Sequence, residues 1–584
     1  MIENFREQIG DAEKKFWLNE GQFEVFNLMP RRFVGICSRR FGKTHGLQGP
    51  FLIRLVTYMP RGKSFIYCSN FKQGLTRTIP GTIAAIEDIT GWKNGVHFFV
   101  GCKAPQSCHF PTPYVSPLNW EHCIHWFNGH VTHILSQDVK LSANSLSLDG
   151  GLIDEAKNSK KEKIDNELML AISGTPGKFD DCPLKKSIWI TTDRPITRAG
   201  QWVVDLESQA TPEIEMELKK SIDFYLFMEY YNANKDRIYS QKKLDAEFRY
   251  MNEMRRDCYL YREFNTIMNI AVVGIDYLKD MERILPKRIF DISILNKRLK
   301  RTADGFYSAF DSTRHTYVVE TAEKMEDFRV SVKPPSGSRA RGTYSTYDFK
   351  SLQEQNKTCF LDLDIDPKQS LNIALDYNKR INWIVTGQRQ TIGGIERMMG
   401  LSSMFVKDGR QIPELISDWC DYYEPHRQRN NRVNYYYNQT AKQRKYANHD
   451  KNEQFYETVI ACLRARGWNV NPVDMGEAMY HMTKFYLLYN AFMHRYDSKR
   501  GKPNLFPYLN YDNNEFLIAA LENTETGEKY DGFGKDKSGE KKSETEEDRA
   551  ELRTDGTDAF DDLFIGMNNF YREGSLLYPG LSIR

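Results

Sequence analysis

Gly42-Lys43-Thr44 closes the stretch Val34-Gly35-Ile36-Cys37-Ser38-Arg39-Arg40-Phe41 and lines up a flexible backbone, an ammonium and a hydroxyl. That is the order a bound polyphosphate requires. Glycine lets the main chain approach an oxyanion, and loop amides with a helix N-terminus hold it. Lysine then reaches the terminal phosphates, and threonine can hold magnesium. The usual G-x-x-x-x-G-K-[ST] spacing opens on glycine, where this chain has Cys37. Residues 38–44 therefore read as a deviant phosphate loop, with a chance Gly-Lys-Thr turn as the competing reading.

Further along, Gly151-Leu152-Ile153-Asp154-Glu155-Ala156 is a short apolar run ending in two adjacent carboxylates. Hydrolysis of a nucleoside triphosphate needs one carboxylate near magnesium, here Asp154, and a neighbour that positions or deprotonates water, here Glu155. A strand running into a solvated helix start is the plainer alternative, but the pairing with the upstream loop favours an ATPase. A third run, Ser187-Ile188-Trp189-Ile190, ends in Thr191-Thr192. Those hydroxyls suit a γ-phosphate sensor or an ordinary strand end.

In the second half the chemistry lies in carboxylates. Asp376 closes the apolar run Leu371-Asn372-Ile373-Ala374-Leu375, and Asp558, Asp561 and Asp562 open a helix-like segment. Carboxylates converging from separate elements make an oxygen site for Mg²⁺ or Mn²⁺, and two such ions can drive phosphodiester cleavage. For Asp558 a helix N-cap is the alternative.

The bulk numbers exclude several classes. The 584 residues are enough for roughly two to four domains. A 40% hydrophobic and 27% charged composition is that of a globular protein, without any apolar run near the ~18 residues of a membrane span. The polar N-terminus shows no secretory pattern, so the cytoplasm is the expected location. A net charge of +3 supplies no global field for nucleic acid, so DNA contacts fall to local patches. Two are candidates: His426 to Lys445, where Arg427, Arg429, Arg432, Lys442, Arg444 and Lys445 interleave with Tyr435, Tyr436 and Tyr437, and the basic tract 333–342. Both also read as solvated surface. Ten cysteines without disulfide-like spacing fit a reducing compartment. Cys102, Cys108, His109, His122, Cys123 and His125, within 102–133, raise a zinc question that their spacing leaves open.

These groups need scaffolds. Apolar runs at 33–36, 64–68, 133–135, 152–154 and 188–191 alternate with helical stretches and predict a parallel sheet covered on both faces. From about 196 to 300 the chain reads as mostly helical, over 213–231 and 241–261 in particular. The tract 334–342, rich in proline and glycine, reads as a linker. A second α/β region follows, with strands at 371–375, 383–386 and 433–437 and a helix at 455–466. The charge-dense segment 525–555 reads as a mobile loop.

With these motifs assembled, the chain resembles the large terminase subunits of tailed double-stranded DNA bacteriophages. The resemblance implies a P-loop ATPase with a parallel-type sheet and helical lid at 1–300 (the lid from about 196), a linker region at 301–345, and an RNase H-like nuclease domain at 346–584. It makes Ser38-Arg39-Arg40-Phe41-Gly42-Lys43-Thr44 the phosphate loop, Gln22 an adenine contact, Arg39 an arginine finger in cis, and Thr191-Thr192 the coupling motif. Asn144-Ser145-Leu146 becomes the approach to Asp154-Glu155. Ala374-Leu375-Asp376 and Thr557-Asp558-Ala559-Phe560-Asp561 resemble the nuclease metal motifs, with one departure: Asn438 stands where an acidic ligand is expected. Another carboxylate, Asp421 or Asp450, would have to fill in, or the nuclease is weakened. Implied cofactors are ATP and Mg²⁺, with Mn²⁺ possible at the nuclease. Implied partners are double-stranded DNA, a small terminase subunit and the procapsid portal, on which the chain would form a homo-oligomeric ring, with no membrane. The other readings are a helicase-like ATPase of repair or defence with an inactive nuclease, and an assembly scaffold with a decayed loop.

Overall fold

The computed structural model describes residues 17–138, 146–195, 197–233, 241–284, 294–296, 305–378, 380–407, 409–443, 453–497, 501–529, 532–537 and 550–570. Two large sheets dominate. The first is built from Arg32–Cys37 (β1), Lys63–Cys68 (β2), Phe98–Val100 (β3), Cys123–Trp126 (β4), Val131–Ser136 (β5), Gly150–Asp154 (β6), Ser187–Thr192 (β7) and Tyr259–Phe264 (β8), in the order β3-β4-β5-β2-β6-β7-β1-β8. From β5 to β8 every neighbouring pair is parallel. Alternate residues of these strands feed two different cores. Phe33, Ile66, Leu152 and Trp189 join one, while Val34, Ile36, Phe65, Ile153 and Ile190 join the other. Such near-continuous apolar strands are what a sheet buried on both faces demands. All five predicted runs lie within it.

β7 runs between β1 and β6, so the Lys43 loop and the Asp154-Glu155 turn flank the end of β7 at one edge of the sheet. The phosphate loop leaves β1 and enters a helix whose first turn, Thr44–Gln48, is π-wound before the regular segment Gly49–Tyr58. Phe51 of that helix stacks on Trp189 with centroids 4.1 Å apart, a pairing worth ~1 kcal/mol beyond its burial. Helices at Ile214–Ala233 and Gln241–Asp257 match the helical expectation. The second one stops at Asp257, and Tyr259–Phe264, expected in part to continue it, becomes β8, paired parallel to β1. Its apolar residues Leu260 and Phe264 are spaced by an even number, which suits a strand.

The second sheet comprises Thr316–Tyr317 (β9), Leu371–Tyr377 (β12), Ile381–Ile392 (β13), Ile395–Lys407 (β14), Arg432–Tyr437 (β15), Asn469–Asp474 (β16) and Phe506–Asn510 (β19). Smaller pairs are Arg329–Val332 (β10) with Tyr344–Tyr347 (β11), Tyr496–Asp497 (β17) with Lys502–Pro503 (β18), and Thr526–Lys529 (β20) with Gly532–Lys535 (β21). The large sheet is ordered β16-β15-β12-β13-β14-β19-β9. β12, β13 and β14 form an antiparallel meander, while β15 and β16 add parallel beyond β12. This is the RNase H-like arrangement. Ala374, Trp383 and Val385 face the terminal helix Thr554–Asn568, whereas Ile373, Leu375 and Ile384 face the helices Ile412–Tyr422 and Phe455–Ala465.

Two expectations change. The tract 334–342 joins the β10–β11 hairpin, which lies against the first sheet: Thr346 Oγ1 donates to the Val100 carbonyl at 2.9 Å and Ser338 Oγ to that of Gly95 at 2.6 Å. Upstream, Phe306, Tyr307 and Phe310 are core residues of the second half. The segment 525–555, expected as a mobile loop, includes the β20–β21 hairpin, and its Lys535 side chain is fully buried. Its polar composition hid this because the buried groups are ion-paired.

Candidate functional site

Four consecutive carbonyls of the phosphate loop are held from outside it. Thr266 Oγ1 donates to the Arg39 carbonyl at 2.6 Å and Asn269 Nδ2 to that of Arg40 at 2.7 Å. Gln22 Nε2 donates to the carbonyls of Phe41 at 3.0 Å and Gly42 at 3.1 Å. Ser38 Oγ also meets Thr266 Oγ1 at 2.9 Å, and the Phe41 ring stacks on Phe264. Carbonyl dipoles turned to protein donors no longer repel an anion, which leaves the loop amides to attract it. Arg40 and Gly42 take the left-handed conformation this path needs, at φ 64° and 88°. A Cβ on Gly42 would stand 2.7 Å from Gln22 Nε2. Burial pushes the Cys37 thiol well above its usual range, so this residue in the glycine position is a neutral filler.

Gln22, expected to contact adenine, lies beside the phosphate loop. Its Oε1 accepts from the Asn19 amide at 3.0 Å, which closes a helix capping box, and its Nε2 serves the loop. Both ends are engaged, so the residue is a strut of the loop. Thr266 and Asn269, which sequence reasoning missed, belong to the turn after β8 and carry no motif of their own.

Lys43 sits among three carboxylates. Its Nζ contacts Glu155 Oε1 directly and lies 3.6 Å from Asp154 Oδ1 and 3.7 Å from Asp193 Oδ1. Burial opposes its charge, but Glu155, Asp154 and Asp193 outweigh burial and hold its pKa well above the ordinary lysine value. Burial raises the Glu155 carboxyl, against the pull of Lys43. Asp193 is also opposed by burial, yet Lys43, Lys157 and Arg39 bring it below the usual carboxylate range. Asp193 follows the Thr191-Thr192 pair directly and was missed; a polar residue one step beyond a strand end was the available signal.

Asp154 is fixed on three sides. Gln48 Nε2 donates to its Oδ1 at 2.6 Å, Thr78 Oγ1 to its Oδ2 at 2.7 Å, and Thr191 Oγ1 lies 3.4 Å from Oδ1. Thr192 accepts from the Lys157 amide at 3.3 Å, tying the end of β7 to the turn after Glu155. Glu155 adopts φ 49°, an uncommon conformation for this side chain and one met at functional turns. Thr44 and Asp154 are the residues that would hold magnesium. Arg39, 67% exposed and 4.0 Å from Asp193, is an exposed cation at the rim. Asn144 and Ser145 lie outside the described residues.

In the second half, Asp376 lies on β12 in line with Ala374, on the face covered by the terminal helix. That helix begins at Thr554, four residues before Asp558, so the alternative reading of Asp558 as an N-cap gives way to an interior position. Asp555 and Asp562 point to the strand ends: Asn378 Nδ2 donates to Asp555 at 2.7 Å and Asn438 Nδ2 to Asp562 at 2.6 Å. Lysines meet all three of the later aspartates: Lys535 Nζ lies 2.7 Å from Asp558 and from Asp561, Lys537 contacts Asp558, and Lys484 Nζ lies 3.2 Å from Asp562. Asp421 does not fill in for Asn438, because it pairs with Arg466 on the helix Ile412–Tyr422 behind the sheet. Asp450 lies outside the described residues.

The other candidates change character. Tyr435 is fully buried, Tyr436 packs beneath Gly566, and His426 is buried, so the aromatic part of the 426–445 patch faces the core. Arg427 pairs with Glu424 and Lys442 with Asp474, and residues 444 and 445 lie outside the described residues. In the 102–133 stretch, His125 Nδ1 accepts from the Ala104 amide and Cys123 meets His133. Among the described residues, the metal-ligating groups there that come within 4.8 Å of one another are Glu121, His122 and Glu326, a set without cysteine.

No family model and no curated protein matches this chain. Solved structures similar to it include the large terminase of a thermophilic bacteriophage in complex with ATP-gamma-S, 10% identical over 94% of this chain and 99% of that one at a TM-score of 0.33. The ATPase domain of the Thermus phage P74-26 large terminase is 9% identical over 49% of this chain and 95% of that one, with a TM-score of 0.29. Thermus thermophilus RuvC is 11% identical over 34% and 95%, with a TM-score of 0.15. Likeness at this level carries no argument about activity.

Proposed function

We propose that this chain is a viral DNA-packaging motor: an ATPase that translocates double-stranded DNA into a procapsid and cuts concatemeric DNA with its C-terminal half. The observation that carries the ATPase is Lys43 among Asp154, Glu155 and Asp193 at the end of parallel strands, beside a loop whose Arg39 to Gly42 carbonyls are held by protein donors. In this reading the γ-phosphate takes Lys43 from its carboxylate partners, releasing Glu155 to orient and deprotonate the attacking water. Magnesium bound to the triphosphate would neutralise charge beside Thr44 and Asp154. Arg39 swings in to stabilise charge on the transferring phosphoryl group. Thr191 and Thr192 report the change through Asp154 and the turn after Glu155.

Support for the cutting activity is the RNase H-like strand order, with Asp376 on β12 and with Asp555 and Asp562 of the terminal helix bonded to Asn378 and Asn438 just beyond β12 and β15; a divalent cation bound there would activate water. The partners in this reading are duplex DNA, a small terminase subunit and the portal, on which copies form a ring in the host cytoplasm. The test is ATP-dependent protection of DNA from nuclease in the presence of procapsids. The parent chain protects DNA and Lys43→Ala does not; protection without ATP, or none under any condition, removes the assignment.

A further inference from the structure

The terminal helix holds a charge arrangement that a two-metal centre does not need. Asp558, Asp561 and Asp562 offer six carboxylate oxygens, and each has a protein partner. Lys535 Nζ is 2.7 Å from Asp558 Oδ1 and 2.7 Å from Asp561 Oδ2, and it donates to Thr557 Oγ1 at 3.0 Å. Two of those oxygens accept hydrogen bonds from the ammonium and Asp561 Oδ2 meets it as an ion pair, on a side chain with no exposure. Lys537 takes Asp558 Oδ2, and Tyr307 donates its hydroxyl to Asp561 Oδ1 at 2.7 Å. Lys484 donates to Asp562 Oδ1 at 3.2 Å, leaving Asp562 Oδ2 to Asn438 Nδ2.

Asn438 completes the pattern. Its Oδ1 accepts from the Thr440 amide at 2.8 Å and hydroxyl at 2.6 Å, so its amide nitrogen, not its oxygen, faces the carboxylates. A backbone amide can only donate, so this orientation is set by the network. The position that would carry a metal-binding acid is a hydrogen-bond donor.

We infer that Lys535 is a fixed cation standing between Asp558 and Asp561, so that these two carboxylates hold no divalent ion. This rests on the nuclease reading proposed above. Three lysines balance three aspartates, and a divalent ion entering beside Lys535 would meet a buried like charge and carboxylates already engaged. Lysine is suited to this because its compact charge satisfies several carboxylates at once.

The test counts Mn²⁺ bound to the full chain by electron paramagnetic resonance of the free ion, comparing parent, Lys535→Ala, Lys535→Arg, Asp558→Asn and Asp376→Asn. Lys535→Ala should bind one more Mn²⁺ per chain than the parent, and Lys535→Arg none. Asp558→Asn should leave the parent's count unchanged. Loss of a Mn²⁺ in Asp558→Asn, or no gain in a folded Lys535→Ala, overturns the inference. If Lys535→Ala does not fold, Asp558→Asn decides it. An unchanged count in Asp376→Asn removes the metal nuclease from the proposed function, while the other variants still decide the role of Lys535.

Discussion

Replacing Gln22 separates a loop strut from an adenine contact. The side chain is 4% exposed and makes three hydrogen bonds, two to the loop carbonyls and one from the Asn19 amide. At about 1 kcal/mol net for each, Gln22→Ala removes about 3 kcal/mol of order from the loop. If all of it is expressed in nucleotide affinity, binding weakens by about 100-fold. Gln22→Glu should be worse than alanine at neutral pH, because a carboxylate would face two carbonyl oxygens. Dissociation constants for ATP and GTP, measured for parent and both variants, give the answer. A strut predicts equal losses for the two nucleotides, since the loop grips phosphates that both share. A loss for ATP alone would exclude the strut and restore Gln22 to the base.

Lys43→Ala should lose both nucleotide binding and turnover, whereas Glu155→Gln should bind ATP and hydrolyse it at least ~100-fold more slowly; near-normal hydrolysis by the latter in a phosphate-release assay removes the base assignment. Asp193→Asn removes one of three carboxylates that a γ-phosphate displaces from Lys43, so ATP affinity by calorimetry should rise about two- to fivefold, and weaker binding would exclude Asp193 from the site. His130, fully buried between the Met59 carbonyl and Ser64 Oγ, has its pKa lowered by burial to about 4, against ~6.5 in an unfolded chain. Its neutral form is favoured in the fold, so stability is full above pH 6.5 and falls between 6.5 and 4, by about 2 kcal/mol at pH 5. Melting of His130→Gln against pH should flatten that slope, and an unchanged slope would acquit the residue.

What was legible in the sequence was local. A strand, a Gly-Lys-Thr loop and a following helix occupy contiguous residues, and so do Leu152 to Glu155, so both could be placed without knowing the fold. The groups that complete the site come from afar: Thr266 and Asn269 reach the loop from beyond β8, and no spacing rule connects them to residue 40. The nuclease half was less legible for a related reason. The helix was expected to start at Asp558, two residues beyond Gly556. In the structure Gly556 lies inside the helix because a Cβ there would come within 3.1 Å of the Trp383 ring. That shift puts Asp555 in the helix, where it accepts from Asn378. Lys535 was hidden in a polar segment whose composition resembles a mobile loop, and its burial is possible only because distant carboxylates neutralise it.

At the centre of the motor reading is ATP-driven movement along intact duplex DNA. A duplex bearing a third strand in its major groove tests this directly, because a duplex translocase strips the third strand without parting the other two. We expect ATP-dependent release of the third strand by the parent, an intact duplex throughout, and no release by Glu155→Gln. Separation of the duplex strands would instead identify a helicase, and ATP hydrolysis without release of the third strand would contradict the motor.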